Sequence, residues 1–185
     1  MEHTFSSSKR RGNGGTHGKG FGGLNVVPPE MAAEFFRSAY AGIDGVWFMC
    51  VEEKYGLEEA AELDAKVWSI FARILAKRVM KWFGVKGCDV EALVKTITLR
   101  WTMEGWEFKV PVCRSDRAVM LVRRCPWLET IRKSGREHVI PLVCGKVCEA
   151  VYQNWAQTVN PNIRLRRPRR MGEGDELCEF IYTYE

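Results

Sequence analysis

The sequence predicts an α+β domain: N-terminal helices and a later cysteine-bearing helix packed on a mainly antiparallel, four-stranded sheet. Three observations carry this. Apolar residues recur at helical spacing through the first half of the chain. Two pairs of alternating runs, each joined by a turn signal, follow in the second half. The resulting order of helix, helix, hairpin, helix and hairpin lets helices cover one face of a sheet.

Residues 1–29 are rich in Ser and Gly and end in Pro28-Pro29. Such a composition buries too little apolar surface to offset its ordering entropy, so a disordered leader is expected, followed by one domain over 30–185. From Glu30 to Tyr55, Phe36, Tyr40, Ile43, Trp47, Phe48, Val51 and Tyr55 mark one apolar helical face, in one helix or in two broken near Gly42 to Gly45. Asp44 lies beside that stripe, and Gly56 is a natural stop. Leu57 to Phe83 is the clearest helix, with Ala60, Val67, Trp68, Phe71, Leu75, Val79 and Trp82 on its inner stripe. Asp64 falls inside the same stripe, where a carboxylate must be paired, protonated or at a cavity. Gly84 closes the helix, and Asp89 reads as the N-cap of a short one to about Thr98.

The alternation of Trp106, Phe108, Val110 and Val112 gives a strand, and residues 117–124 give its hairpin partner across Arg114-Ser115-Asp116. Pro111 belongs on an edge or at a bulge, since it cannot donate to a ladder. Pro126 to Lys133 is a brief helix. After Pro141, Cys144, Cys148, Val151, Tyr152, Trp155 and Val159 share one helical face, which Asn160-Pro161 ends. Ile163 to Arg167 and Leu177 to Tyr184 are the last two strands. Alternation assigns Arg164 and Arg166 to one face and Arg167 and Arg169 to the other.

Composition bounds the function. The chain has 185 residues, 46% of them apolar and 28% charged, which suits one soluble domain. No apolar run nears the ~18 residues of a membrane span. The first residues lack the apolar block of a secretory signal, and seven cysteines is an odd number, so a cytoplasmic, reducing setting is expected over a disulfide framework. The net charge of +5 is concentrated in the leader, where Lys9, Arg10, Arg11 and Lys19 face Glu2 alone. That distribution, and an arginine run at 164–170 without interleaved aromatics, argue against nucleic acid, leaving an anionic-polymer binder as the weakest reading. A homo-oligomer is compatible with the sequence.

The chemistry-bearing residues gather between Cys144 and Cys178. Cys144 and Cys148 are one helical turn apart. With Cys125 and Cys178 they make four thiols that suit Zn²⁺ or an iron–sulfur cluster. The same thiols on a core stripe read first as small hydrophobes, then as metal ligands, and last as a nucleophile. His138 is the one histidine after the leader and the base of any Cys–His pair. Cys148 and Cys178 are expected to face the same space, with Asp175 at the rim of the glycine-bracketed turn.

The pattern Cys148…Arg167…Gly172-x-Gly174-Asp175-x-x-Cys178-x-Phe180 resembles the end of the L-2-amino-thiazoline-4-carboxylic acid hydrolase-like family. The N-terminal part is similar to a related group of small proteins. It matches at Asp44-Gly45-x-Trp47-Phe48, Val51-Glu52-Glu53-x-Tyr55-Gly56, Ala60 to Asp64, Val67-Trp68, Cys125-Pro126-Trp127 and Asn160-Pro161. The resemblance implies hydrolytic opening of a cyclic amidine that carries a carboxylate. Cys148 or Cys178 would then be the thiolate, Asp175 the acid for the leaving group and Arg167 the cation for the carboxylate, with Asp44 and Asp64 also at the substrate. A Cys-ligated metal or iron–sulfur module with a redox or sensory role is the alternative.

Overall fold

The computed structural model describes residues 27–185. The leader expected over 1–29 lies outside these residues except for its end. The chain divides into a unit ending at Phe36 and a compact body, Arg37–Glu185.

The fold is α+β. Helix α1 spans Pro29–Tyr55 without a break at its glycines. Gly56, at φ 90°, separates it from α2, Leu57–Trp82. Helix α3, Val90–Glu104, begins where expected, with the Asp89 side chain accepting from the Ala92 N–H at 2.8 Å. It continues past Thr98 because Leu93, Ile97 and Trp101 hold one buried face, and Gly105 caps it in the left-handed region. Strands β1, Glu107–Cys113, and β2, Arg117–Arg124, form the first hairpin. Helix α4 is Pro126–Lys133. A helical run then passes through a 3-10 turn (Glu137–Val139), the single turn α5 (Ile140–Leu142) and a π-helical stretch (Val143–Val147) into α6, Cys148–Val159. Strand β3, Ile163–Arg169, a 3-10 turn at Met171–Glu173 and strand β4, Cys178–Tyr184, complete the chain.

The four strands are antiparallel in the order β1-β2-β4-β3. Pro111 lies on the edge strand β1, within a register shift between Lys109 and Val112. Ala118, Met120 and Val122 of β2, Phe180 and Tyr182 of β4, and Ile163 and Leu165 of β3 are buried toward the helices. Helices α3 and α6 pack on this face, and α2 packs on α6. At the centre Trp101 stacks on Trp106 and meets Tyr152 and Phe180 edge-on. Its Nε1–H donates to the Tyr152 hydroxyl, and the Trp155 Nε1–H donates to Thr96 at 2.8 Å, so neither buried indole lacks a partner.

Among the described residues, no helix is long and apolar enough to cross a membrane.

Candidate functional site

Helices α1, α2, α3 and α6 and the segment around α4 leave a cavity of about 350 Å³ between them. That is the small end of the range of ligand pockets, about 300–1,000 Å³. Its wall is mainly apolar: Ala41, Gly45, Phe48 and Met49 from α1, Ile131 from α4, Val139 just after it, and Val143, Val147 and Val151 from the last helical run. Trp68, Trp106, Trp127 and Tyr152 add aromatic faces. Trp68 and Trp127 meet edge-on at 5.2 Å, and Tyr40 closes the trio at 5.6 and 5.3 Å.

Polar groups enter this wall from α1 and α2, from α3 and, with Thr130, Ser134 and Arg136, around α4. From α1 and α2 come Asp44 and Asp64. Asp44 accepts a hydrogen bond of 2.9 Å from the Trp68 Nε1–H. Asp64 is 2% exposed and its Oδ1 has no hydrogen-bond partner. Burial, with the charge of Asp44 added to it, pushes the Asp64 carboxyl up to about 8. Burial also raises Asp44, while its bond from Trp68 works the other way. The sequence places Asp64 on an inner stripe; its position at a cavity, held largely protonated, satisfies the requirement that stripe imposes.

The second place is Arg100 of α3, which is 3% exposed. Its Nε–H donates to Glu104 at 2.8 Å, and its guanidinium lies 5.2 Å from the Trp155 ring centre and 5.6 Å from that of Trp68. Burial disfavours the charge, and the Glu104 carboxylate beside it favours it. One Arg100 nitrogen, Nη1, has no partner. The sequence reading ends its helix at Thr98 and so misses both Arg100 and Glu104. Their i, i+4 spacing in a helical frame extended by one turn was the available signal.

The cysteine-centred residues lie differently. Cys148 and Cys125 line the cavity, whereas Cys144, Cys178, Asp175, His138 and Arg167 are not on its wall. Burial raises the thiol pKa of Cys148 and raises that of Cys125 well above its usual value. Cys144, Cys148 and Cys178 surround Arg167, whose cation lowers the pKa of Cys144 and Cys148 while burial raises both, Cys144 to about 12. Arg167 is buried under α6, with its guanidinium 4.7 Å from the Phe180 ring centre. It donates from Nη1 to the Cys144 carbonyl at 2.9 Å and from Nη2 to Cys178 Sγ at 3.9 Å. Cys178 Sγ also accepts from the Met171 N–H at 3.3 Å. Cys148 and Cys178 thus share the neighbourhood the strand pattern assigns them.

His138 is exposed in its 3-10 turn, and the exposed Asp175 accepts from the Arg170 N–H at 2.7 Å, closing its own turn. Arg169 does not share the inner face with Arg167. A register shift around Pro168 turns it outward, where it pairs with Glu179 at 3.0 Å. Among the described residues, no three Cys, His, Asp or Glu side chains gather as a group that could hold a metal ion. The thiols instead surround a guanidinium, whose fixed positive charge opposes a second cation there.

The fold has known parallels. The trafficking protein particle complex subunit 3 from Naegleria fowleri, solved covalently bound to palmitic acid, is 13% identical with a TM-score of 0.59, over 82% of this chain and 96% of that one. The phenol-responsive sensory domain of the transcription activator PoxR, solved with phenol, is 11% identical with a TM-score of 0.53, over 78% of this chain and 73% of that one. At such identities the likeness shows the fold alone. No curated protein matches the chain. A family model described as a family of unknown function (DUF6125) matches residues 32–171, most of the chain, and the protein belongs to that family.

Proposed function

We propose that the protein is a binding module for a small, mainly apolar organic ligand, held in the cavity beneath α1. The observation that carries this is a cavity of about 350 Å³ with an aromatic and aliphatic wall, into which only a few polar residues enter. One of these, Asp64, keeps a buried carboxyl oxygen, Oδ1, without a hydrogen-bond partner. Buried polar atoms are normally paired, so atoms left unpaired beside a cavity are what a guest molecule would satisfy. The two proteins of similar fold were solved with a fatty acid and with phenol, both apolar or aromatic guests.

Hydrolysis of a cyclic amidine ranks behind binding. It needs an activated water or thiolate, and for the thiolate route burial raises Cys148, the thiol of the candidate pair that lines the cavity. A cytoplasmic setting suits the seven free cysteines, three of them exposed.

The test uses 2-phenylethanol as a neutral probe, followed through the fluorescence of the cavity tryptophans and by calorimetry. Saturable binding is expected, and Val143→Phe, which fills the space from one wall, should weaken it about tenfold or more. Failure to bind by about 1 mM, or binding that Val143→Phe leaves unchanged, would remove the cavity as the ligand site.

A further inference from the structure

The charges around the cavity are unequal in a way that specifies the ligand. Both cations of the wall are already paired: Arg100 with Glu104, and Arg136 with Glu52. Neither carboxylate is. Among the described residues no ion pair reaches Asp44 or Asp64, and the polar group acting on both is the neutral indole N–H of Trp68. Asp64 is 2% exposed with Oδ1 unpartnered, so the acidic pair is accompanied by an unsatisfied buried acceptor at the cavity wall. The wall around it is aromatic, and ring faces attract cations.

We infer that the cavity selects a protonated amine on a small aromatic body, with the ammonium against Asp44 and Asp64 and the ring among Trp68, Trp106 and Trp127. The inference rests on the cavity being a ligand site, and it names the ligand class for that site. An ammonium supplies a donor to Asp64 Oδ1, the oxygen that has none, and a counter-charge to a pair that no protein cation meets. The charge of Arg100 is already met by Glu104, so it does not compete for the pair.

The proton balance follows from the same arrangement. Without ligand, Asp64 holds a proton at neutral pH. When the ammonium arrives, the carboxyl ionises, an O⁻···H–N⁺ ion pair forms, and the displaced proton passes to the buffer. The other titratable groups of the wall are Arg100 from α3, Cys125 and Arg136 on either side of α4, and Cys148 and Tyr152 from α6; behind them Tyr40 of α1 interacts with Asp44 and Arg100, and Glu104 with Arg100. Burial raises both thiols and the phenol, so they stay protonated near neutral pH, and the arginines stay charged. Proton release on binding therefore reports the aspartate pair.

The experiment compares 2-phenylethylamine, 2-phenylethanol and phenylacetate by calorimetry near pH 7 in buffers of different ionisation enthalpy. The amine is expected to bind tightest of the three and to release a proton, while the alcohol releases none. Asp64→Asn should lower the amine-to-alcohol affinity ratio about tenfold or more, as expected for the loss of one charge-assisted hydrogen bond, and abolish the proton release. Asp44→Asn is the second variant, used in the same way should Asp64→Asn fail to fold. Alcohol binding without preference for the amine, amine binding without proton release, or an affinity ratio unchanged in the variant would each overturn the inference while leaving the cavity reading intact. Phenylacetate binding tightest would overturn it in favour of recognition through Arg100. Failure of all three probes would overturn the cavity reading as well.

Discussion

Asp64 gives the protein a pH dependence with a definite sign. In the unfolded chain its carboxyl titrates near 4, at the ordinary value for Asp. In the folded chain burial and the charge of Asp44 move it up to about 8. Between these values the folded state holds the proton more tightly than the unfolded one, so stability falls as pH rises through that window. Its contribution is fully present below about pH 4 and lost by about pH 8. Denaturant midpoints measured from pH 4.5 to 8.5 are therefore expected to decline in the native protein and to be flatter in Asp64→Asn. Identical slopes would mean that Asp64 ionises in the fold without penalty. This residue was legible in the sequence because a charge on an apolar stripe has few acceptable environments. Arg100 was not, because the sequence reading ends its helix at Thr98, one turn short of the Arg100–Glu104 spacing. The thiols were legible as neighbours but not in chemical state. Sequence spacing brings Cys148 and Cys178 together, yet it cannot show that burial raises Cys148 or that Arg167 stands among them.

At the scale of elements, the strands and most helices follow from periodicity and turn chemistry, and the departures have local causes. Strand β3 keeps its alternation through Arg167 and loses it at Pro168, where the missing N–H and the register shift reverse the facing of Arg169. The join between the π-helical stretch and the Met171–Glu173 turn is a packing contact that no sequence period encodes. A Cβ on Gly172 would stand 2.5 Å from Cys144 Sγ, 2.6 Å from Cys144 Cβ and 3.2 Å from Ile140 Cγ2. The short Cys144 side chain cannot swing away, so the backbone of one element must move. Gly172→Ala is expected to destabilise the protein by about 1–3 kcal/mol, the range for overpacking a tight contact. Gly145→Ala makes the contrast. It is helical with nothing within 4 Å of its would-be Cβ, and Ala there should be stabilising by about 0.5–1 kcal/mol. Urea denaturation of the two variants checks both signs, and a neutral Gly172→Ala would show that the two turns can part without loss.

Across the body of the molecule, burial is distributed unevenly around the cavity. Helix α3 buries Val90, Ala92, Leu93, Val94, Thr96, Ile97, Arg100 and Trp101, and strands β2 and β4 are central in the sheet. Helix α1, by contrast, has Phe48 as its one buried residue, and Ile43, Val46 and Met49 remain exposed. Yet residues 41–49 of α1 form one wall of the cavity, held by the Asp44–Trp68 bond and, further along, by the ion pair of Glu52 with Arg136. Local opening free energies follow buried contacts, so this wall should open far more readily than the core behind it. Amide hydrogen exchange is expected to be slowest in α3, β2 and β4 and faster by orders of magnitude over residues 41–49. A ligand that contacts α1 in the closed arrangement binds that state preferentially and so shifts the local equilibrium toward it. Saturating ligand should then slow exchange over 41–49 and around Asp64 and Trp68, and leave the β3–β4 hairpin unchanged, because neither strand contributes to the cavity wall. Slowing spread evenly over the whole body would instead mean that α1 opens only with global unfolding. Ligand binding with no change over 41–49 would place the guest away from α1 and shift the site toward the α4 and α6 side of the cavity.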